Sequence, residues 1–81
     1  MSFRLRYGPG TEAVHDAMPT ASSGSLSLAL AAACEDPTGA GEPYGEDDGV
    51  VRTLVTEHAI AVVLIGRFTG TLTVLQLSYL G

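Results

Sequence analysis

VVRTLVTEHAIAVVLIGRFTGTLTVLQLSYLG, residues 50–81, is a succession of three strand-like runs separated by two turns. Val50 to Val55 alternates Val51, Thr53 and Val55 against Val50, Arg52 and Leu54. That period of two is the signature of a half-buried strand, and it predicts Val51 and Val55 in the core. Ala59 to Ile65 is apolar on both faces, as a central strand is. Thr71 to Leu80 is the longest run. Gly66 to Gly70 supplies a two-glycine hairpin turn. Glu57-His58 has no Gly or Asn, so a longer or bulged connection is predicted there.

Upstream, Phe3, Leu5 and Tyr7 alternate with Ser2, Arg4 and Arg6, a first strand that ends at Gly8-Pro9-Gly10. Thr11 is placed to cap a short helix from Glu12 to Met18, with Val14 and Met18 inward and Glu12 and Asp16 outward. Pro19 stops it. Thr20 to Ser25 reads as a polar linker, with Ser22 or Ser23 capping a second helix that runs to about Cys34. Leu26, Leu30 and Ala33 form its apolar stripe. Asp36-Pro37 ends it, because the residue before proline avoids the helical region. Asp36 to Gly49 reads as a loop carrying the acidic run Glu46-Asp47-Asp48. The order is β-α-α-β-β-β, an α+β fold of two N-terminal helices packed on an antiparallel sheet, with residues 1–81 as a single domain.

With 81 residues the chain buries only roughly 60–65% of its unfolded surface. Hydrophobic content of 46% is too high for disorder, and aromatics at 6% leave the core to Leu, Val, Ile and Ala. Nine acidic residues face four arginines and no lysine, a net charge of −5 that does not draw the whole protein to nucleic acid. The lone cysteine, Cys34, closes no internal disulfide and reads as a small buried hydrophobe. No signal-peptide pattern opens the chain and no apolar run approaches a membrane span, so a cytoplasmic protein is expected.

Four segments together resemble the RelE/ParE toxin superfamily of type II toxin-antitoxin systems. FRLRYGPGTEAVHDAMP is similar to the opening strand, turn and short helix. LSLALAAACEDPTGAGEP is similar to the second helix and its Asp-Pro ending. GVVRTLVTEHAIAVVLI resembles the hairpin whose first strand opens with an arginine, and LTVLQLSYLG resembles the closing strand. The resemblance implies a cognate antitoxin that wraps the protein. For the RelE branch it implies ribosome-dependent cleavage of mRNA; the ParE branch targets gyrase. Cleavage by ribose 2′-OH attack builds charge on a phosphate, which fixed guanidinium groups stabilise. Carried over by position, Arg52 matches the hairpin arginine and Tyr79 the terminal His or Tyr, making these two the candidate catalytic residues.

Two departures weigh against that chemistry. The second hairpin strand reads Ala59-Ile60-Ala61-Val62 where ribonuclease members carry another arginine, and Glu46-Asp47-Asp48 replaces lysines. The expectation is therefore a toxin-like protein with weak or lost endoribonuclease activity. The alternative is a non-catalytic interaction module, or a homodimer, on the same fold. Arg4, Arg6 and Arg52 alternate with the core residues of their strands, which would put all three on the exposed sheet face. They form either a phosphate-binding patch or a solvated surface. Tyr79 either packs at a strand end or, given nearby cations, serves as a base. His15 is read as an exposed helix residue and His58 as a turn residue. No metal-ligand spacing is present and no cofactor is expected. Gly8-Pro9-Gly10 lacks the Lys-Ser/Thr ending of a phosphate loop. Expected partners are a cognate antitoxin or a second copy of the chain, with ribosome and mRNA as targets and no membrane.

Overall fold

The computed structural model describes residues 2–45 and 49–81. The acidic run Glu46-Asp47-Asp48 lies outside the described residues. The elements are β1 (Arg4–Tyr7), α1 (Thr11–Ala17), α2 (Thr20–Glu35), α3 (Pro37–Ala40), β2 (Glu42–Pro43), β3 (Val51–Val55), β4 (Ala59–Gly66) and β5 (Thr71–Tyr79). The five strands form one sheet in the order β1-β5-β4-β3-β2. The α+β class and the helical layer are those anticipated. The sheet is mixed, because β1 runs parallel to β5 while the other three pairings are antiparallel. A parallel neighbour requires a long crossover, and everything from α1 to β4 supplies it.

The segment Asp36 to Gly49 contains two short elements rather than a plain loop. Asp36 caps α3, its carboxylate accepting from Gly39 N at 3.1 Å. Pro37 occupies the first turn, where its missing N–H costs nothing. β2 then pairs with β3, Glu42 opposite Thr53 and Pro43 opposite Arg52. Helix α2 begins at Thr20, before the predicted serine caps. Pro19 is its N-cap, and Ser23 N donates to Pro19 O at 2.8 Å. Thr11 is the first residue of α1 and is buried; Gly10, with φ of 79°, holds the N-cap. That left-handed conformation is open to glycine.

One core lies between the helices and one sheet face. Leu26, Leu30 and Ala33 of α2, with Cys34, pack on Leu54, Ala61, Val63, Ile65, Leu72 and Val74. The α2 stripe is therefore as predicted. On β3 the predicted phase is inverted: Leu54 is buried, Val55 is 66% exposed and Val51 is half-buried. Both sets of alternating positions in β3 carry aliphatic residues, so periodicity alone does not choose between them. The register chooses, because Leu54 pairs with the buried Ala61 beneath the helices.

The 57–58 turn is tight. Thr56 N donates to Ala59 O at 2.9 Å, and the Thr56 hydroxyl accepts from His58 N and Ala59 N. A threonine thus supplies the turn chemistry that glycine or asparagine would otherwise provide. The sheet's irregularity lies elsewhere, between Val62 and Val63, where Leu75 of β5 is the extra residue.

Candidate functional site

The sheet register sorts the candidate residues. Arg4 pairs with Thr71 and Arg6 with Thr73. Thr73 pairs with Leu64, and Leu64 with Val51. Directly paired residues project from the same face, so Arg4 and Arg6 belong to the face of Val51, Leu64 and Thr73. Arg52, one residue along, belongs to the helix-bearing face with Leu54. The three arginines expected together are divided between the two faces.

Arg52 is 7% exposed. Its Nη2 donates to Thr38 O at 2.8 Å and to Gly41 O at 2.6 Å. A charge is tolerated at such depth only when partners replace its hydration, and carbonyl oxygens of the α3–β2 connection do so here. The guanidinium is thereby engaged in holding that connection to β3.

Tyr79 stands at the far end of β5 and is 43% exposed. It pairs with Ala59, whereas Arg52 pairs with Val63. Those positions are about 13 Å apart along β4, and the two residues lie about 10 Å apart across it. The structure does not bring Arg52 and Tyr79 together. Near Tyr79, Leu80 N donates to His58 O at 2.7 Å and His58 Nδ1 donates to Gly81 O at 3.0 Å. His58 is a turn residue, as anticipated.

The sequence reading missed the most connected polar group in the helical layer. His15 is buried, not exposed. Its Nδ1 lies 2.8 Å from the Tyr7 hydroxyl, and its Nε2 lies 3.1 Å from Ser23 O and 3.2 Å from Ser27 Oγ. The Ser23 carbonyl can only accept, so Nε2 carries the proton and Nδ1 accepts from Tyr7. This tautomer bars a serine–histidine nucleophile pair, because the nitrogen facing Ser27 has no lone pair to take its proton. The network instead ties β1, α1 and α2 together. Burial pushes the Tyr7 phenol up from its ordinary value, with Glu12, Asp16 and Cys34 adding to the effect. Burial likewise raises the Cys34 thiol, with Glu35 adding to it. A thiol held protonated is a poor nucleophile. The spacing Thr11, His15, Met18 was the available sequence signal for this buried face.

At the β4–β5 turn a cleft of about 380 Å³ is lined by Val50, Ile65, Gly66, Arg67, Phe68 and Thr69. It offers one cation and no nucleophile–base pair. Among the described residues, no group of three His, Cys, Asp or Glu side chains gathers to hold a metal ion. No helix among the described residues is long and apolar enough to cross a membrane.

No protein-family profile matches the chain, and no curated protein matches it by sequence. Solved structures do match it by fold. A chain of the toxin-antitoxin complex RelBE2 from Mycobacterium tuberculosis superposes with a TM-score of 0.79 at 11% identity, over 98% of this chain and 99% of that one. A mutant of the E. coli toxin RelE in the free state superposes with a TM-score of 0.78 at 13% identity, over 98% of this chain and 84% of that one. The chain has a RelE-like fold.

Proposed function

We propose that residues 1–81 act as one domain, the toxin-like member of a cytoplasmic toxin-antitoxin pair, with weak or no mRNA endoribonuclease activity. The observation that carries this reading is the near end-to-end superposition on a chain of the RelBE2 toxin-antitoxin complex. A protein-binding role is supported by the sheet face that carries Arg4, Arg6 and Val55, all exposed. Weak cleavage is supported by the separation of the candidate groups. Arg52 is committed to backbone carbonyls, and Tyr79 is remote from it. Phosphoryl chemistry at ribose needs several donors converging on one phosphate, and of the arginines paired within the sheet Arg4 and Arg6 are the two on the open face. Fold does not fix chemistry.

The test is inducible expression with growth as the readout, alone and beside the product of a small adjacent gene. Growth arrest relieved by that product, with the two proteins purifying together, is the expected result. Unimpaired growth and no co-purifying partner would remove the toxin-antitoxin assignment.

A further inference from the structure

The helices occupy one face of the sheet, and the other face has a pattern of its own. Following the register, one row across it reads Arg6, Thr73, Leu64, Val51. The next row reads Gln76, Val62, Thr53, Glu42. A third adds Ser78, Ile60 and Val55. Cations therefore lie on the β1 edge, an acid on the β2 edge, and branched aliphatic residues on the central strand β4 and on β3. Val62 is buried yet stands outside the main core cluster, as a residue on the opposite face must. Arg6, Glu42 and Val55 are exposed. Among the described residues no ion pair engages Arg4, Arg6 or Glu42.

We infer that this open face binds a second copy of the same chain, sheet on sheet, about a two-fold axis parallel to β4. Closed homodimers use a self-complementary patch, and the edge charges select the axis. A two-fold along the strands lays β1 of one copy over β2 of the other, so Arg6 meets Glu42 twice. A two-fold across the strands would lay β1 on β1 and stack arginine on arginine. The first arrangement also sets the half-buried Leu64 and Ile60 of one copy against the same residues of its partner, with Val62 already buried beneath them. Stacked sheets pack about 10 Å apart with inner side chains interdigitated, which suits this short, branched set. The Arg6 and Glu42 rows are offset by about 7 Å along the strand, a span that two long side chains bridge. The face is about 19 Å wide, four strand spacings, which is small for a permanent interface. The dimer thus belongs to the transient, micromolar class.

Sedimentation equilibrium on wild type, Arg6→Glu, Glu42→Arg and an equimolar mixture of the two variants tests this. Both positions are exposed, so the substitutions leave the fold intact, which circular dichroism checks. Wild type is expected to dimerise with rising concentration. Each variant alone places like charges opposite one another twice, raising the dissociation constant about tenfold or more. In the mixture both contacts are again opposite in sign, and a heterodimer of wild-type affinity is expected. Val55→Asp, on the same face without a charge partner, weakens the dimer and is not rescued by mixing. A wild type that stays monomeric at millimolar concentration overturns the inference and leaves the face to a different partner. Variants that dimerise like wild type, or a mixture that gains nothing over its components, also overturn it.

Discussion

Arg52 Nη2 donates to Gly41 O at 2.6 Å and to Thr38 O at 2.8 Å, so the hairpin arginine acts as a clamp across the α3–β2 connection. Hydrogen bonds from a charged donor are worth about 1.5–3 kcal/mol each, and truncation leaves the acceptors to find new partners. Arg52→Ala is expected to lower stability by about 2–4 kcal/mol, measured by urea denaturation at constant slope. A loss within a few tenths of a kcal/mol would mean that solvent replaces the clamp at no cost.

The Tyr7–His15 contact predicts a tautomer. With Nε2–H donating to Ser23 O and Nδ1 accepting from Tyr7, the ring nitrogens of the neutral imidazole should show the Nε2–H pattern in nitrogen-15 spectra. Tyr7→Phe should cost about 1 kcal/mol, and His15→Ala, which empties a buried site as well, about 2–3 kcal/mol. The opposite tautomer would mean that Ser23 O is not the partner of Nε2.

The same network sets an alkaline limit. Tyr7 is raised from its ordinary value of 10.0 by burial first and by nearby acids second, and Cys34 from 9.0 by burial. Both groups hold their protons more tightly in the folded chain than in the unfolded one. Their contribution is therefore fully present below the unfolded values and is lost as pH rises through the folded ones. Stability should fall from about pH 9 upward. Tyr7→Phe should show a shallower fall above about pH 10 than wild type. Parallel profiles would assign the decline to other groups.

Leu30 and Val55 make a paired test of the two faces. Leu30 is 1% exposed in the α2 stripe and Val55 is 66% exposed on the open face. Leu30→Ala should cost about 2–4 kcal/mol. Val55→Ala should stay within about 0.5 kcal/mol at concentrations where the chain is monomeric. Equal losses would mean that the open face is covered within the single chain.

These residues also show what the sequence made legible. Leu26, Leu30 and Ala33 were legible as one stripe by their i, i+4, i+7 spacing, although the exposed Leu28, Ala31 and Ala32 make α2 apolar on its outer side as well. The class and the three long strands β3, β4 and β5 followed from run length and glycine placement. In β3 both phases are aliphatic, so the position of Arg52 depended on which side the helices covered, a tertiary fact. The parallel partner of β1 depended on which sheet edge remained open after β5 had formed. His15 was misplaced because histidine carries no clear hydrophobic sign; its burial rests on Tyr7 and Ser23, eight residues away on either side. The two-residue strand β2 is too short to carry a period at all.

Each well-aimed donor in a phosphoryl-transfer site contributes about 3–4 kcal/mol, or a factor of 10²–10³ in rate. Of the four arginines, Arg52 is buried against carbonyls, Arg67 lies in the turn at one end of the sheet, and Arg4 and Arg6 share the open face. Tyr79 is about 13 Å along the sheet from the level of Arg52. No single phosphate can touch this set. The net charge of −5 also opposes approach to RNA, with a screening length of about 8 Å at physiological salt. In a translation-coupled cleavage assay the wild type should cut mRNA weakly or not at all. Tyr79→Phe should leave that background unchanged, and Arg52→Ala should alter it only in proportion to the folded fraction it loses. Robust A-site cleavage abolished by Tyr79→Phe in a folded protein would require a rearrangement that brings the β5 end to a cationic site, and would reinstate Tyr79 as a catalytic residue. Retained partner binding with no cleavage would leave binding as the function of the fold.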